Sequence, residues 1–155
     1  GVRKAGTKTP ALPSDQWHLG SLTKSMTTTL AAVLVEVGKI SWTNTLAEVF
    51  PEEAAGMHVA WRDVTLERLL AHRGGGPDHD WLNRQGIWPK VWGRNSPADV
   101  AETRRWFLRE VTSREPQQPP NGEYVYSNAG YMLAGAMLEA RTGESWETLM
   151  RRCVF

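Results

Sequence analysis

An apolar run at residues 21–37 constrains the fold of this chain more than any other feature of the sequence. Its large apolar residues recur at the three- and four-residue spacing of a helix, and smaller ones fill most of the remaining circumference. A helix that is apolar on nearly all sides belongs in the centre of a domain. Gly38 is placed to end it in the left-handed conformation, and Lys39 adds a positive charge near its negative end. The run predicts a central helix built on Leu22, Met26, Leu30, Val33 and Val37.

Helical signals outnumber strand signals in the rest of the sequence. Residues 1–6 alternate weakly and lead into a turn at residues 9–13, which predicts one strand. Caps, proline stops and terminal glycines predict further helices at residues 44–50, 65–72, 96–111, 128–141 and 145–153. We therefore expect a mainly α fold in one partial domain, residues 1–155, with a residual strand and turn in residues 1–20 and helices in residues 21–155.

Composition excludes several classes of protein. The 18 basic and 17 acidic residues give a formal net charge of +1, so no global charge attracts nucleic acid or an anionic membrane. No apolar stretch reaches the ~18–20 residues that cross a bilayer, and no apolar signal-peptide core follows the first residues. We therefore expect a soluble chain, cytoplasmic or periplasmic, whose partner is a small molecule or a peptide.

Metal and cofactor chemistry has little support in the sequence. The single cysteine, Cys153, excludes an internal disulfide and a cysteine-clustered zinc site, and it falls on the apolar side of the last helix. His72, Asp78, His79 and Asp80 share no helical face and no metal-ligand spacing, so a polar loop is the better interpretation. We expect neither a metal nor a cofactor.

A nucleophile and a base stand one helical turn apart at the start of the apolar run. Ser21 and Lys24 are three positions apart, which places the hydroxyl and the amine on one helix face. The first turn of a helix offers unpaired N–H groups and a positive dipole end, which stabilise an oxyanion and favour the neutral form of Lys24. The competing interpretation is a helix cap followed by a surface lysine. Placement at the opening of the most apolar helix favours the catalytic interpretation.

A second polar group, Tyr126-Ser127-Asn128, precedes a later helix. A phenol that faces a lysine ionises more easily and can relay protons, and the carboxamide of Asn128 can donate to a substrate carbonyl. Ser127 is a candidate helix cap. The alternative is an ordinary turn before a helix, where tyrosine and asparagine are common.

Two further segments predict loops. Trp81, Trp88 and Trp92, three of eight tryptophans, fall in a segment rich in glycine, proline and asparagine. This pattern predicts a loop that forms an ordered lid or a pocket wall, or one that packs onto the helices. The run Gly74-Gly75-Gly76-Pro77 lacks the lysine and hydroxyl residue of a phosphate loop and predicts a flexible turn.

These motifs resemble the serine β-lactamases and penicillin-binding proteins, in particular the branch with class C β-lactamases, D-alanyl-D-alanine carboxypeptidases and family VIII esterases. Residues 17–27 are similar to the family's Ser-x-x-Lys segment, and Tyr126-Ser127-Asn128 to its Tyr-x-Asn element. Residues 64–72, 121–131 and 142–146 also fit, so the resemblance covers essentially the whole chain. It implies the helical portion of an α+β β-lactamase or transpeptidase-like fold, with most of the sheet missing from these residues.

The resemblance also implies a role for each of four residues. Ser21 would be the acylated nucleophile, Lys24 its base, Tyr126 the proton relay, and Asn128 a ligand for the amide of the substrate. The implied reaction is acyl transfer from a β-lactam, a D-Ala-D-Ala peptide or a small ester through a serine ester. One local departure is Arg73-Gly74-Gly75, where the family commonly has Thr-Ser-Gly.

The third motif of the family, Lys-Thr-Gly or His-x-Gly, does not follow Tyr126-Ser127-Asn128 within residues 1–155. Two hypotheses therefore stand. In the first, the chain belongs to a serine hydrolase or acyl transferase. In the second, it is a catalytically incomplete helical module that folds, with self-association covering exposed strand edges, and binds without turnover.

Overall fold

A computed structural model describes residues 1–93 and 100–155, and these residues are mainly helical, with isolated bridges in place of a sheet. The prediction of a mainly α fold is confirmed. The predicted helix opening at residues 96–99 lies outside the described residues. The described elements are α1 (Leu22–Glu36), α2 (Leu46–Val49), α3 (Val59–Arg62), α4 (Leu66–Leu70), α5 (His79–Arg84), α6 (Ile87–Gly93), α7 (Val100–Thr112), α8 (Asn128–Thr142) and α9 (Trp146–Cys153), with a 3-10 turn at Ala54–Gly56.

Local chemistry sets most of the helix ends that the sequence predicted. The Thr65 side chain accepts a hydrogen bond from the backbone N–H of Arg68 and so caps α4. Gly38 and Gly143 both take positive φ angles, 71° and 72°, just beyond α1 and α8. Because each of these signals acts within a few residues, it is readable without knowledge of the tertiary structure.

The central helix of the domain is α8, not α1. The inward positions of α8 are small or apolar almost along its whole length, and α8 packs against α1, α2, α4, α7 and α9. Helix α1 buries one face, whereas Leu22 is 64% exposed and Val37 61% exposed. The prediction of core positions for these two residues was wrong, because the periodicity of an apolar helix does not specify which of its faces finds a partner.

The first residues do not form the predicted strand. Val2 and Pro10 make an isolated antiparallel bridge around a turn in which Gly6 has a φ of 78°. A proline has no N–H to continue a ladder, and the described residues supply no second strand for the segment to pair with. An isolated bridge therefore stands where a strand was expected, and self-association stays a prediction.

The tryptophan-rich segment is helical rather than a loop. Asp78 caps α5 through the Trp81 N–H, and α6 follows after Gly86, which has a φ of 67°. Trp88 is buried and stacks on Phe107, while Trp92 stacks on Trp88. The glycine and proline signals therefore mark the boundaries of two short helices packed onto the core.

The run Gly74-Gly75-Gly76-Pro77 is buried, not a flexible turn. A Cβ atom on Gly76 would lie 2.6 Å from Ser127 Oγ, and one on Gly75 would lie 2.6 Å from the carbonyl oxygen of Gln118. These glycines are required by close approach of other parts of the chain. Within the described residues, no helix combines the length and the apolar character needed to cross a bilayer.

Candidate active site

Ser21 and Lys24 form a polar pair at the first turn of α1. Lys24 Nζ donates a hydrogen bond to Ser21 Oγ at 3.1 Å. The Ser21 side chain makes no capping bond to the helix, so its hydroxyl is free for other partners. Lys24 is half-buried rather than a surface lysine. The structure therefore disfavours the interpretation of a helix cap followed by a surface lysine.

Tyr126 also contacts Ser21, although it is distant in the sequence. Its Oη lies 2.6 Å from Ser21 Oγ, although the two residues are 105 positions apart in the sequence. Lys24 Nζ also lies 4.7 Å from the centre of the Tyr126 ring. The hydroxyl of Ser21 thus contacts both the amine and the phenol.

The lysine changes the acidity of the phenol. Hydrogen bonding with Lys24, and to a smaller extent with Ser21, lowers the pKa of Tyr126 from its ordinary value of 10.0. The direction follows because a nearby positive charge and donated hydrogen bonds both stabilise a phenolate. At a given pH, a larger fraction of Tyr126 is therefore phenolate, the form that accepts a proton, than of an isolated tyrosine.

Asn128 completes the group from the first position of α8. Its Oδ1 accepts a hydrogen bond from Lys24 Nζ at 2.6 Å. The amide nitrogen of Asn128 is consequently the part of this side chain that remains to donate to a ligand. The structure places together all four residues that the sequence singled out: Ser21, Lys24, Tyr126 and Asn128.

Helix packing positions the two halves of the site. Tyr131, one turn after Asn128 on α8, has its hydroxyl 3.1 Å from Thr28 Oγ1 of α1 and donates to the Leu70 carbonyl oxygen at 2.9 Å. A Cβ atom on Gly130 would lie 3.1 Å from the carbonyl oxygen of Leu69, so α8 approaches the end of α4 closely. Tyr131 thus links α8 to both α1 and α4, a role that its spacing from Asn128 could have indicated.

The ring of His72 packs against the ring of Tyr126. It has a φ of 59°, unusual for a residue other than glycine, and its ring centre lies 4.6 Å from that of Tyr126. Its Nδ1 accepts the Ser127 N–H at 3.0 Å, and its carbonyl oxygen accepts the Val125 N–H at 2.9 Å. Burial, and then the charge of Lys24, lower the pKa of His72 below 6.5, which favours the neutral ring that can accept this bond. No local pattern in the sequence indicated this role.

The remaining candidates do not join the site in the same way. Asp78 accepts the Trp81 N–H and a bond from Gln117, as a helix cap does, while His79 begins α5. Cys153 is partly buried against the core. Among the described residues, no three histidine, cysteine, aspartate or glutamate side chains come together in a way that could hold a metal ion.

Two cavities are lined in part by the four residues. The larger has a volume of about 780 Å³ and is lined by Ser21, Lys24 and Asn128 together with mostly apolar side chains of α6, α7, α8 and α9. The smaller, about 300 Å³, is polar and is lined by Tyr126, Asn128, Asp78, His79 and Asp80. Ser21 thus lines the larger cavity, and Tyr126, whose hydroxyl contacts it, lines the smaller one.

Comparison with known proteins identifies the family. The family model described as Beta-lactamase matches residues 1–155, the whole chain, so this chain belongs to the Beta-lactamase family. Penicillin-binding protein 4 of Amycolatopsis lactamdurans is 28% identical over 155 residues, which is all of this chain and 37% of that protein. The unguisins hydrolase of Aspergillus violaceofuscus is 26% identical over 160 residues, which covers all of this chain and 26% of that protein.

A solved structure shows the same fold. The D-stereospecific amidohydrolase from Streptomyces sp. superposes with a TM-score of 0.71 at 24% sequence identity, over 90% of this chain and 41% of that one. The chain thus spans between about a quarter and two fifths of the length of these relatives. Its helices correspond to a helical portion of a β-lactamase-like fold, as the resemblance implied.

Proposed function

We propose that these residues carry the nucleophile of a serine hydrolase or acyl transferase of the class C β-lactamase type, which forms an acyl-enzyme on Ser21. The observation that carries the proposal is the position of Ser21 Oγ, 2.6 Å from Tyr126 Oη and 3.1 Å from Lys24 Nζ. A nucleophile within hydrogen-bonding distance of its base is the geometric signature of covalent catalysis. The Tyr-x-Asn form of the second motif favours this branch of the family.

In acylation, Ser21 Oγ attacks the carbonyl carbon of the substrate and the bond from that carbon to the leaving nitrogen or oxygen breaks. With Lys24 as donor to Ser21 Oγ, the serine hydroxyl donates to Tyr126 when the latter is a phenolate, and Tyr126 receives the serine proton and passes it to the leaving group. In the alternative arrangement, a neutral Lys24 accepts the serine proton and Tyr126 relays it. Both routes leave the substrate acyl group on Ser21 and release a protonated amine or alcohol.

Deacylation reverses the roles. Water attacks the ester carbonyl, its proton passes to Tyr126, and the bond between the acyl carbon and Ser21 Oγ breaks as the serine regains a proton. When an alcohol or amine takes the place of water, the same steps give acyl transfer. A positioned acid–base pair contributes about 10²–10⁴-fold to such steps.

The backbone of Ser21 supports charge on the attacked carbonyl. Within the described residues its N–H makes no hydrogen bond, and it lies at the start of the 15-residue helix α1. An unpaired N–H beside the positive end of a helix is suited to an oxyanion. The Asn128 amide nitrogen would donate to the amide carbonyl of the substrate, since its Oδ1 is held by Lys24.

The proposed substrates are β-lactams, D-Ala-D-Ala peptides or small esters. The relatives support this range, because their names describe a penicillin-binding protein, a hydrolase of unguisins and an amidohydrolase that is D-stereospecific. Each of these substrates has an acyl carbon bonded to nitrogen or oxygen, which is the bond that the site is arranged to break.

Covalent labelling tests the nucleophile. The protein, expressed from its complete reading frame, is incubated with a fluorophosphonate or a penicillin, and intact mass followed by peptide mapping locates the adduct. We expect one adduct on Ser21, which the Ser21→Ala variant loses. Ser25→Ala is the matched control, because Ser25 is an exposed serine one turn further along α1 whose hydroxyl donates to the Leu22 carbonyl oxygen. An adduct that persists in Ser21→Ala, or none in the parent protein, refutes the proposal.

A second candidate function is binding without turnover. It would use exposed apolar side chains at the two ends of α1, Leu22 and Val37, which a partner would cover. Size-exclusion chromatography together with nitrocefin and nitrophenyl ester assays discriminates the two functions. An oligomer that labels on no serine and hydrolyses neither reagent supports binding alone.

A further inference from the structure

The large cavity extends from the reacting atoms along one face of each of two helices. On α8 its lining runs from Asn128 through Met132 to Gly135, and on α1 from Lys24 to Thr27. These positions recur at helical spacing, so each set forms a continuous stripe. At a rise of 1.5 Å per residue, the stripe on α8 reaches about 10 Å beyond Asn128. The cavity is therefore deep enough to hold more than a methyl group.

Aromatic and aliphatic side chains form the other walls. Trp88, Val91 and Trp92 line the cavity from one face of α6, and Trp146 lines it from α9. An apolar pocket next to polar reacting groups is the usual form of a small-molecule site. An engineered apolar cavity of about 150 Å³ is enough to bind benzene. The cavity beside Ser21, at about 780 Å³, has room for a group of two fused rings.

Arg104 and Glu147, two charged residues of the wall, form an ion pair that Glu139 extends. Arg104 Nη2 lies 2.6 Å from Glu147 Oε1 and 3.4 Å from Glu139 Oε1, and the Arg104 side chain is only 10% exposed. The guanidinium therefore has carboxylate partners within the protein. A charged ligand group would have to compete with this ion pair, whereas an uncharged group would not.

The two cavities differ in how they relate to the proton relay. Tyr126, which hands the proton to the leaving group in the proposed function, lines the smaller polar cavity, while it is absent from the lining of the larger one. The leaving group must lie near Tyr126 to receive that proton. The acyl group stays on Ser21 and therefore lies in the large apolar cavity.

We propose that the large cavity is an acyl pocket that selects substrates with a bulky, uncharged aromatic or aliphatic acyl group, and that Gly135 determines the size it accepts. This inference rests on the proposed acyl-enzyme at Ser21. The carbonyl carbon bonds to Ser21 Oγ as the leaving group departs, and the acyl side chain lies between α6 and α8 throughout. The polar cavity beside Tyr126 receives the leaving group.

Gly135 offers a way to narrow the pocket from α8. A Cβ atom there would meet Arg104 Cδ and Trp146 Cδ1 at 3.8 Å, which is ordinary van der Waals contact. Gly135 is helical, so a side chain at this position is also compatible with the backbone of α8. Larger side chains at position 135 would extend into the space that the acyl group occupies.

A series of esters with one leaving group tests the pocket. The kcat/KM values for 4-nitrophenyl acetate and 4-nitrophenyl 2-naphthylacetate are measured and divided by the rate of hydroxide hydrolysis of each ester. We expect the parent protein to favour the naphthylacetate at least tenfold, because each well-buried methylene is worth about 10-fold or more. Gly135→Leu should lower kcat/KM for the naphthylacetate more than for the acetate and so remove most of this preference.

Two further variants keep the test decisive. Ala140→Leu, an exposed position on the same helix, is the matched control and should leave the preference unchanged. Trp92→Ala removes a wall whose side chain is 63% exposed, so it should fold and lower the preference. A parent protein that favours the acetate, or variants that alter both esters equally, overturns the acyl pocket while hydrolysis by Ser21 stands.

Binding without chemistry separates this inference from the proposed function. Quenching of tryptophan emission by 2-naphthylacetamide is measured in Ser21→Ala, and again with Gly135→Leu added. Binding that Gly135→Leu weakens at least tenfold supports the pocket even if no hydrolysis depends on Ser21. Failure of Ser21→Ala to bind the amide overturns the pocket even if the parent protein hydrolyses both esters.

Discussion

Replacing Tyr126 with phenylalanine removes one oxygen atom from the centre of the proposed site. The lost atom lies 2.6 Å from Ser21 Oγ, whereas the ring that remains keeps its contact with His72, with ring centres 4.6 Å apart. Tyr126 is 44% exposed, so the variant buries no new polar group. The substitution therefore isolates the phenol from the packing of the residue.

The expected effects on rate and on stability differ in size. Loss of a positioned proton acceptor lowers a rate by about 10²–10⁴-fold, equivalent to about 2.7–5.4 kcal/mol in the barrier. A neutral hydrogen bond contributes about 0.5–1.5 kcal/mol to folding. For a chain of this length, 1 kcal/mol changes Tm by about 2–4 °C. We therefore expect a large loss of acylation with a change in Tm of a few degrees at most.

Stopped-flow acylation of Ser21 by nitrocefin or a fluorophosphonate, followed from pH 6 to pH 10, measures the effect. The pKa of Tyr126 is lowered by Lys24 and Ser21, so the acylation rate of the parent protein should rise with pH and level off below 10.0. This rise should disappear in Tyr126→Phe. Differential scanning calorimetry of both proteins gives the change in Tm.

Two results would refute this reasoning. Acylation within threefold of the parent rate across the pH range would mean that Tyr126 takes no part in proton transfer. A loss of rate that accompanies a fall in Tm of more than about 6 °C would indicate that the phenol holds the fold and not the reaction.

His72→Phe keeps the aromatic ring but leaves the Ser127 N–H without its acceptor; we expect a cost of about 1–3 kcal/mol and a lower kcat, by calorimetry and ester hydrolysis. Folding lowers the pKa of His72, so the stability that its neutral ring contributes is present above pH 6.5 and is lost as the pH falls. The free energy of unfolding of His72→Phe should not show this fall. Gly76→Ala places a Cβ atom 2.6 Å from Ser127 Oγ and should cost about 1–3 kcal/mol in urea unfolding, whereas Gly56→Ala, which meets open space, should not. Asp78→Ala should lose about 0.5–2 kcal/mol of helix capping. The hydrogen bond from the Trp81 N–H lowers the pKa of Asp78 below 3.8. The difference in unfolding free energy between the parent protein and Asp78→Ala, measured in urea, should therefore vanish as the pH falls below that value.

Short-range geometry was predictable from the sequence alone. The three-residue spacing of Ser21 and Lys24 fixes their separation once a helix forms, and the cap Thr65 and the terminal Gly143 act within one turn. The resemblance of the two motifs to the Beta-lactamase family predicted which residues would come together. These inferences depend on contacts between neighbours in the chain or on a pattern shared with relatives.

The tertiary structure decided what depends on contacts between distant segments. The approach of Tyr126 to Ser21 across 105 positions requires α8 to pack against α1 and α4, and the choice of α8 rather than α1 as the central helix follows from the same packing. The burial of residues 74–77 and the position of Trp88 in the wall of the large cavity also depend on contacts between distant segments. A periodic pattern determines that a helix has an apolar face, but the free energy of burial depends on which other surfaces that face meets.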